Sequence, residues 1–400
     1  MVLALYGLGA SASTIRKHYA AEQLRSKPIK PHLEKSDEIL AQIRSAAASD
    51  DAKLWASLTP KAHTGVSNYA EFLRFLEDEI DTYGWKDTVN KYLFSGSAIA
   101  EDMFVRFFGG YLHPYIHLGY GIEFEQPAIV AEALAQTASH ITWQGDFLLP
   151  AEEKSKSVKG PAPFADLLAA LENDDRIKAA VEYTDPATTK GLIAKEGAYL
   201  AELTAKAKIP DPTDEKLEEA AASITTATAY MACAAQRADR HVKIDFILMH
   251  GVNSNLFTTV YARSAWIDRR VRARILEWKA RIDLFLYCAQ GSPALHGEDI
   301  RDYAPKVPGP NPWTTVVDRT LRLSEDGHVA KMVRALAAAE RDMARQSPGG
   351  SSLVAPDDWA RMANMVIDGA EAGGVTWIRG AGFDDAWTSF VSQVGPRPLW

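Results

Sequence analysis

Apolar positions along the chain recur three and four residues apart rather than alternating, a period that predicts one helix after another. Leu33, Ile39, Leu40 and Ile43 begin the series, and Phe72, Leu73, Phe75, Leu76 and Ile80 give one apolar face to segment 69–83. Segments 95–112, with Phe104, Phe107 and Phe108, and 127–142 are apolar enough to cross the interior. Further helices are expected over 164–171, 191–208 and 214–240, the last so rich in alanine that its neighbours approach closely. Segment 243–257 is apolar on almost every face, which predicts burial. A long helix over 263–287 carries Arg and Lys on a face expected to be solvated. Ser324 reads as the N-cap of a helix reaching about Gln346, stopped by Ser347-Pro348-Gly349-Gly350, and 359–387 adds a last apolar stretch. The expectation is an all-α fold of roughly fifteen helices, packed in pairs around a central buried pocket as a single domain over 1–400.

The breaks between helices carry fewer signals. Segment 151–163, with its lysines, serines and prolines, reads as a polar loop and a candidate mobile lid. The Pro-rich stretch 291–313 reads as a loop of the kind that covers sites. Pro210-Asp211-Pro212 marks a joint between helices, and no linker or fixed-period repeat interrupts the chain. Gly7-Leu8-Gly9-Ala10-Ser11-Ala12 matches a dinucleotide fingerprint, but no second strand ending in an acid follows it. A helix ending at a glycine, then a Ser/Thr-capped helix from about Thr14, fits better. The apolar start lacks the basic residues of a secretory signal.

Composition narrows the class. Apolar and charged fractions of 47% and 24% are ordinary for a globular protein, and a net charge of −8 argues against a nucleic-acid partner. No apolar run reaches the ~18–20 residues of a membrane span. Cys233 and Cys288 are too few for a disulfide framework, which points to a reducing, cytoplasmic compartment. Ten Trp, fourteen Tyr and fourteen Phe suit a pocket for a flat aromatic ligand as well as a core.

Candidate chemistry lies in three stretches. In Y-L-H-P-Y-I-H-L-G-Y-G-I-E, from Tyr111 to Glu123, His113 and His117 stand four apart, a spacing that can bring two imidazoles to one metal ion. Pro114 belongs in a first helical turn, so His113 stands at the cap and His117 at the end of that turn, and His113 is either a ligand or a substrate contact. His250 is buried among apolar residues and is either hydrogen-bonded in the core or bound to metal, with Asp245 available to orient a histidine. His328 and Lys331 stand three apart on one helix face. Glu325-x-x-His328 is half of a di-iron carboxylate motif whose second half is missing. His140, near a helix C-terminus, is a lesser ligand candidate, while His63 and His296 read as loop residues.

The residues H-P-Y-I-H-L-G-Y-G-I-E resemble the signature of the questin oxidase-like family, enzymes that oxidatively open anthraquinone-type rings in polyketide pathways. L-A-L-Y-G-L-G-A near the start, K-I-D-F-I-L-M-H-G-V-N-S from Lys243 and E-D-G-H-V-A-K-M-V-R-A-L from Glu325 are similar to the family in the same order, and so is W-I-R-G-A-G-F-D-D-A-W. The resemblance implies an all-helical oxygenase with a non-haem Fe(2+) held by histidines and a carbamylated lysine. Mapped here, it assigns metal binding to His113, His117, His250, His328 and Lys331, with Lys331 and His328 as the catalytic pair. A buried lysine near cations loses its proton, and the neutral amine can take up carbon dioxide to give an anionic oxygen ligand. Dioxygen and an aromatic polyketide are the implied partners. The resemblance also places a histidine where Met1 stands, so the chain reads as shortened at its start. Two other readings stand beside this one: a metal-independent Baeyer–Villiger type oxidase using NADPH as external reductant, and a non-catalytic helical binding protein.

Overall fold

The computed structural model describes residues 1–24, 35–59, 68–183, 189–345, 353–388 and 390. The all-α expectation holds: twenty α-helices, one π-helical turn and one 3-10 turn make up almost all the regular structure among them. The one exception is a parallel pair of two-residue strands, Ile244–Asp245 with Trp377–Ile378. Leu33, His63 and the stop at 347–350 lie outside the described residues.

Three helices build the centre of the molecule. Phe246–Arg263 packs on both Gly109–Glu123 and His328–Met343, and the Ala-rich helix Asp214–Ala234 lies along the first and third of these. Close approach of the first two requires a residue without a side chain. A Cβ on Gly119 would stand 2.1 Å from Phe257 Cγ, well inside contact distance. Behind them Phe104, Phe107, Phe108, Tyr115, Tyr261 and Trp278 form a continuous aromatic core, with the Phe104 and Trp278 rings 4.8 Å apart.

The start of the chain follows expectation, a helix over Val2–Gly7 and then Ala12–Gln23 capped by Ser11, whose hydroxyl accepts from Thr14 N at 3.2 Å. Elsewhere the boundaries move for identifiable reasons. Segment 151–163 is a loop only in its second half, because Gly145–Ser155 is helical and carries Pro150 within it. The apolar stretch from Lys243 is not one helix. Asp245 accepts from Ile247 N and Leu248 N and so starts the helix at Phe246, leaving Ile244 and Asp245 to pair with the chain's last described segment. The expected helix over 263–287 instead starts at Arg269, capped by Asp268, and its basic face is solvated only at its start, where Arg269 and Arg270 are exposed. Lys279 and Arg281 are fully buried. Lys279 pairs with Asp283 one turn on and donates to Asn255 Oδ1 at 3.1 Å, while Arg281 donates to Ala207 O at 3.0 Å. Cys233 and Cys288 are buried free thiols. Among the described residues, no helix is long and apolar enough to cross a membrane.

Candidate metal centre

Gly109–Glu123 does not begin as an ordinary helix. Gly110, Tyr111 and Leu112 all adopt left-handed backbone angles (φ 55°, 57° and 68°), and right-handed helix resumes at His113 with Pro114 in its first turn. That is where proline is tolerated, since its missing N–H falls among donors that have no helical partner. Left-handed backbone costs about 1–2 kcal/mol per non-glycine residue, so Tyr111 and Leu112 store strain that the surrounding packing holds in place. The turn delivers His113 against the helix that bears His250. Their Nε2 atoms are 3.1 Å apart and their rings meet edge to face at 5.0 Å.

His250, fully buried, fixes its ring by donating Nδ1–H to Phe246 O at 2.6 Å, which leaves Nε2 as a bare lone pair aimed at His113. His328 comes from a third helix. The sequence expectation put its N-cap at Ser324, but the left-handed Gly327 (φ 92°) is the cap and His328 is the first helical residue. Asp326 then reaches back and takes both His328 N at 3.2 Å and His328 Nδ1 at 2.6 Å, while Glu325 accepts from Val329 N and Ala330 N. Two acids thus cap the helix, and one of them orients the histidine. A carboxylate two residues before a histidine is the sequence signal for that role.

The three histidines offer ring nitrogens that all lie within 4.8 Å of one another. Metal–nitrogen bonds of about 2.1 Å place neighbouring ligands about 3 Å apart, which the His113–His250 pair already satisfies. Electrostatics agree with that use. Burial, with the charge of Lys331 next, lowers His113 to about 3, and burial with His113 itself drives His250 well below the ordinary histidine range. Both imidazoles are therefore neutral at pH 7 and available as ligands. Lys331, one turn beyond His328, is also lowered by burial, against the opposing charges of Asp326, Glu325 and Glu22. Burial opposes ionisation of Asp326 too, but the hydrogen bond and charge of His328 outweigh it and hold that carboxyl well below its usual range. Glu325 moves the other way, to about 7, through burial and its hydrogen bond with Asp326. The donor set fits a divalent ion that prefers imidazole, with Lys331 beside it.

His117 is not brought to this cluster. Its nitrogens meet Gln136 Oε1 at 3.2 Å and Glu132 Oε2 at 3.1 Å, on helix Pro127–Ala138. The i, i+4 spacing put it on the correct side of its own helix, but one turn further along a different helix faces it. His140 is likewise apart, its Nδ1 donating to Gln136 O at 2.7 Å while its ring lies against Gly110. His296 pairs with Glu298 at 3.3 Å. Among the described residues Asp245 orients no histidine: besides capping its helix it accepts from Gly380 N at 2.8 Å and Ala381 N at 3.0 Å. The aromatic wall of the cluster, also passed over in the sequence, is Phe246 and Tyr111. Phe246 lies 4.6 Å from the His250 ring and 5.4 Å from His328, and Tyr111 lies 5.9 Å from His250.

Comparison with known proteins bears on what this centre serves. The chain is 36% identical over 337 residues to the Baeyer-Villiger oxidase ptaJ of Pestalotiopsis fici, covering 82% of this chain and 75% of that one. It is 35% identical over 336 residues to the questin oxidase of Aspergillus terreus, with the same coverage of both. It is 32% identical over 397 residues to the Baeyer-Villiger oxidase AgnL3 of Paecilomyces divaricatus, covering 96% and 83%. The family model described as questin oxidase-like matches residues 1–336, which carry His113, His250, His328 and Lys331, and the chain belongs to the questin oxidase-like family.

Proposed function

We propose that this chain is an oxidoreductase that inserts oxygen into an aromatic polyketide and opens a ring of an anthraquinone-type substrate. In this reading a non-haem iron is held by His113, His250 and His328, with Lys331 as a carbamate supplying the one anionic oxygen. The observation that carries it is the convergence of three imidazoles, two of them fixed at Nδ1 by Phe246 O and Asp326, beside a lysine whose amine is pushed toward neutrality. Iron(II) bound there would supply the activation of dioxygen. The protein's own groups do the rest. Phe246 O and Asp326 keep the Nε2 lone pairs of His250 and His328 directed at one point. The neutral Lys331 amine adds its lone pair to the carbon of carbon dioxide, forming one C–N bond and releasing one proton. Phe246 and Tyr111 exclude water and offer flat apolar surfaces to a planar ring.

Several relatives are named Baeyer-Villiger oxidases, which favours insertion of oxygen beside a ring carbonyl and keeps a metal-independent reaction, with NADPH as external reductant, as the second reading. Elemental analysis of anaerobically prepared protein separates the two. Near-stoichiometric iron in the wild type, lost together with turnover in Lys331→Ala, is the expected result. Unchanged iron content and rate in that variant would end the carbamate reading, and turnover without metal would favour the second.

A further inference from the structure

The segment W-I-R-G-A-G-F lies beyond the part of the chain that the family model matches, yet it is tied directly to the centre. Trp377 and Ile378 pair with Ile244 and Asp245, the residues immediately before the His250 helix. Asp245, wholly buried, holds the next turn by accepting from Gly380 N and Ala381 N, and Gln290 Oε1 accepts from Gly380 N at 2.9 Å. Gly380 takes φ +83°, and a Cβ there would come within 3.1 Å of the Phe383 and Tyr183 rings, so this corner admits little but glycine. The residue fixed between strand and corner is Arg379. Its guanidinium stacks on the Phe246 ring, 4.5 Å from the centroid, and Phe246 in turn lies against His250 and His328. Arg379 is exposed, and among the described residues no carboxylate pairs with it.

We infer that Arg379 is a substrate-binding residue that takes a peripheral anionic oxygen, carboxylate or phenolate, of the planar aromatic substrate. One phenyl ring separates the guanidinium from two of the imidazoles. A fused-ring molecule lying over Phe246 with one ring before the histidines would bring an oxygen on its rim to the guanidinium. Arginine suits that role, because its planar fork pairs with a carboxylate or phenolate while its face stays on the aromatic ring. A guanidinium kept only for solubility would need neither the stack nor a corner secured by a buried carboxylate. This inference rests on the oxygenase reading for the class of substrate, but its test does not require turnover.

The test is equilibrium binding to the full chain, followed by tryptophan fluorescence, of anthraquinone-2-carboxylate, its methyl ester and 2-hydroxyanthraquinone. The proteins compared are the wild type, Arg379→Gln and Arg379→Lys, each checked for unchanged helical content. Arg379→Gln is expected to weaken an anionic probe about five- to tenfold, the range for a charge-assisted hydrogen bond at an exposed site, and to leave the ester unaffected. Arg379→Lys should recover part of the loss, and whichever anionic probe responds identifies carboxylate or phenolate. Equal losses for anion and ester, no loss for either, or a wild type that binds none of the three would overturn the inference. Charge-selective binding without iron or turnover would sustain Arg379 and sink the oxygenase. Iron and turnover with no charge selectivity would do the reverse.

Discussion

Gly110→Ala tests whether the left-handed turn before His113 sets the centre. Two costs can be read from the structure. Alanine in left-handed backbone loses about 1–2 kcal/mol relative to glycine. The new Cβ would also stand 2.3 Å from His140 Nε2 and 2.6 Å from Cδ2, and the His140 ring is tethered by its 2.7 Å bond to Gln136 O. Overpacking of that kind adds about 1–3 kcal/mol, for a total of about 2–5 kcal/mol. Because the second cost belongs to one pair, His140→Ala in the same background should remove it and leave the first. A double-mutant cycle by urea denaturation of metal-free protein is therefore expected to give a coupling of about 1–3 kcal/mol. Iron affinity, measured in parallel, should fall in Gly110→Ala and recover in the double variant, because His113 is placed by the turn and not by His140. Additivity within about 0.5 kcal/mol would refute the packing argument. Unchanged iron affinity in a destabilised Gly110→Ala would refute the link to His113.

Three more outcomes are expected. Asp326→Asn removes the charge that fixes His328 Nδ1 and should weaken iron binding about 10–100-fold in a chelator competition, with unaltered affinity counting against the orienting role. Gly119→Ala places a methyl 2.1 Å from Phe257 Cγ between two central helices and should cost about 1–3 kcal/mol in urea denaturation, where a neutral result would mean the helices yield freely. Burial raises Asp245 to about 6 from an ordinary 3.8, so the folded chain holds this proton more tightly than the unfolded chain. The resulting stability is complete below pH 3.8 and lost as pH rises through 6, a difference of about 3 kcal/mol at about 1.4 kcal/mol per unit. Asp245→Asn should gain on the wild type by up to about that amount between pH 4 and 7, and a gap independent of pH would dismiss the argument.

The helical class was legible because a 3.6-residue apolar period is a local property, present in each segment whatever it packs against. His250 and the His328–Lys331 pair were legible for a similar reason. An imidazole inside an all-apolar segment must be buried, and two residues three apart must share a face. What stayed hidden depended on a second element. Nothing in H-P-Y-I-H says that His113 meets another histidine while His117, one turn on, meets Glu132. Nothing in the basic face of the Arg269–Ala289 helix says that Lys279 is buried, although Asp283 four residues later was a usable hint. Three consecutive left-handed residues, two of them Tyr and Leu, run against local preference and exist only because the finished core holds them there.

The same distinction bears on how the centre is built. Its ligand candidates come from positions 113, 250, 328 and 331, so no single segment can assemble it, and each histidine is aimed by a neighbour within its own stretch. His250 is set by Phe246 O four residues back and His328 by Asp326 two residues back, while His113 is set by the strained turn immediately before it. Packing of the three helices then needs only to bring together rings already pointed inward. These orientations depend on local hydrogen bonds and on the backbone of the turn, and none of them requires an ion. The neutral state of His113 and His250 follows from the same burial. In the proposed reading, filling the centre would require little proton release from His113 and His250, and the pH dependence of metal uptake would fall instead on Lys331, whose amine would have to lose its proton before taking up carbon dioxide.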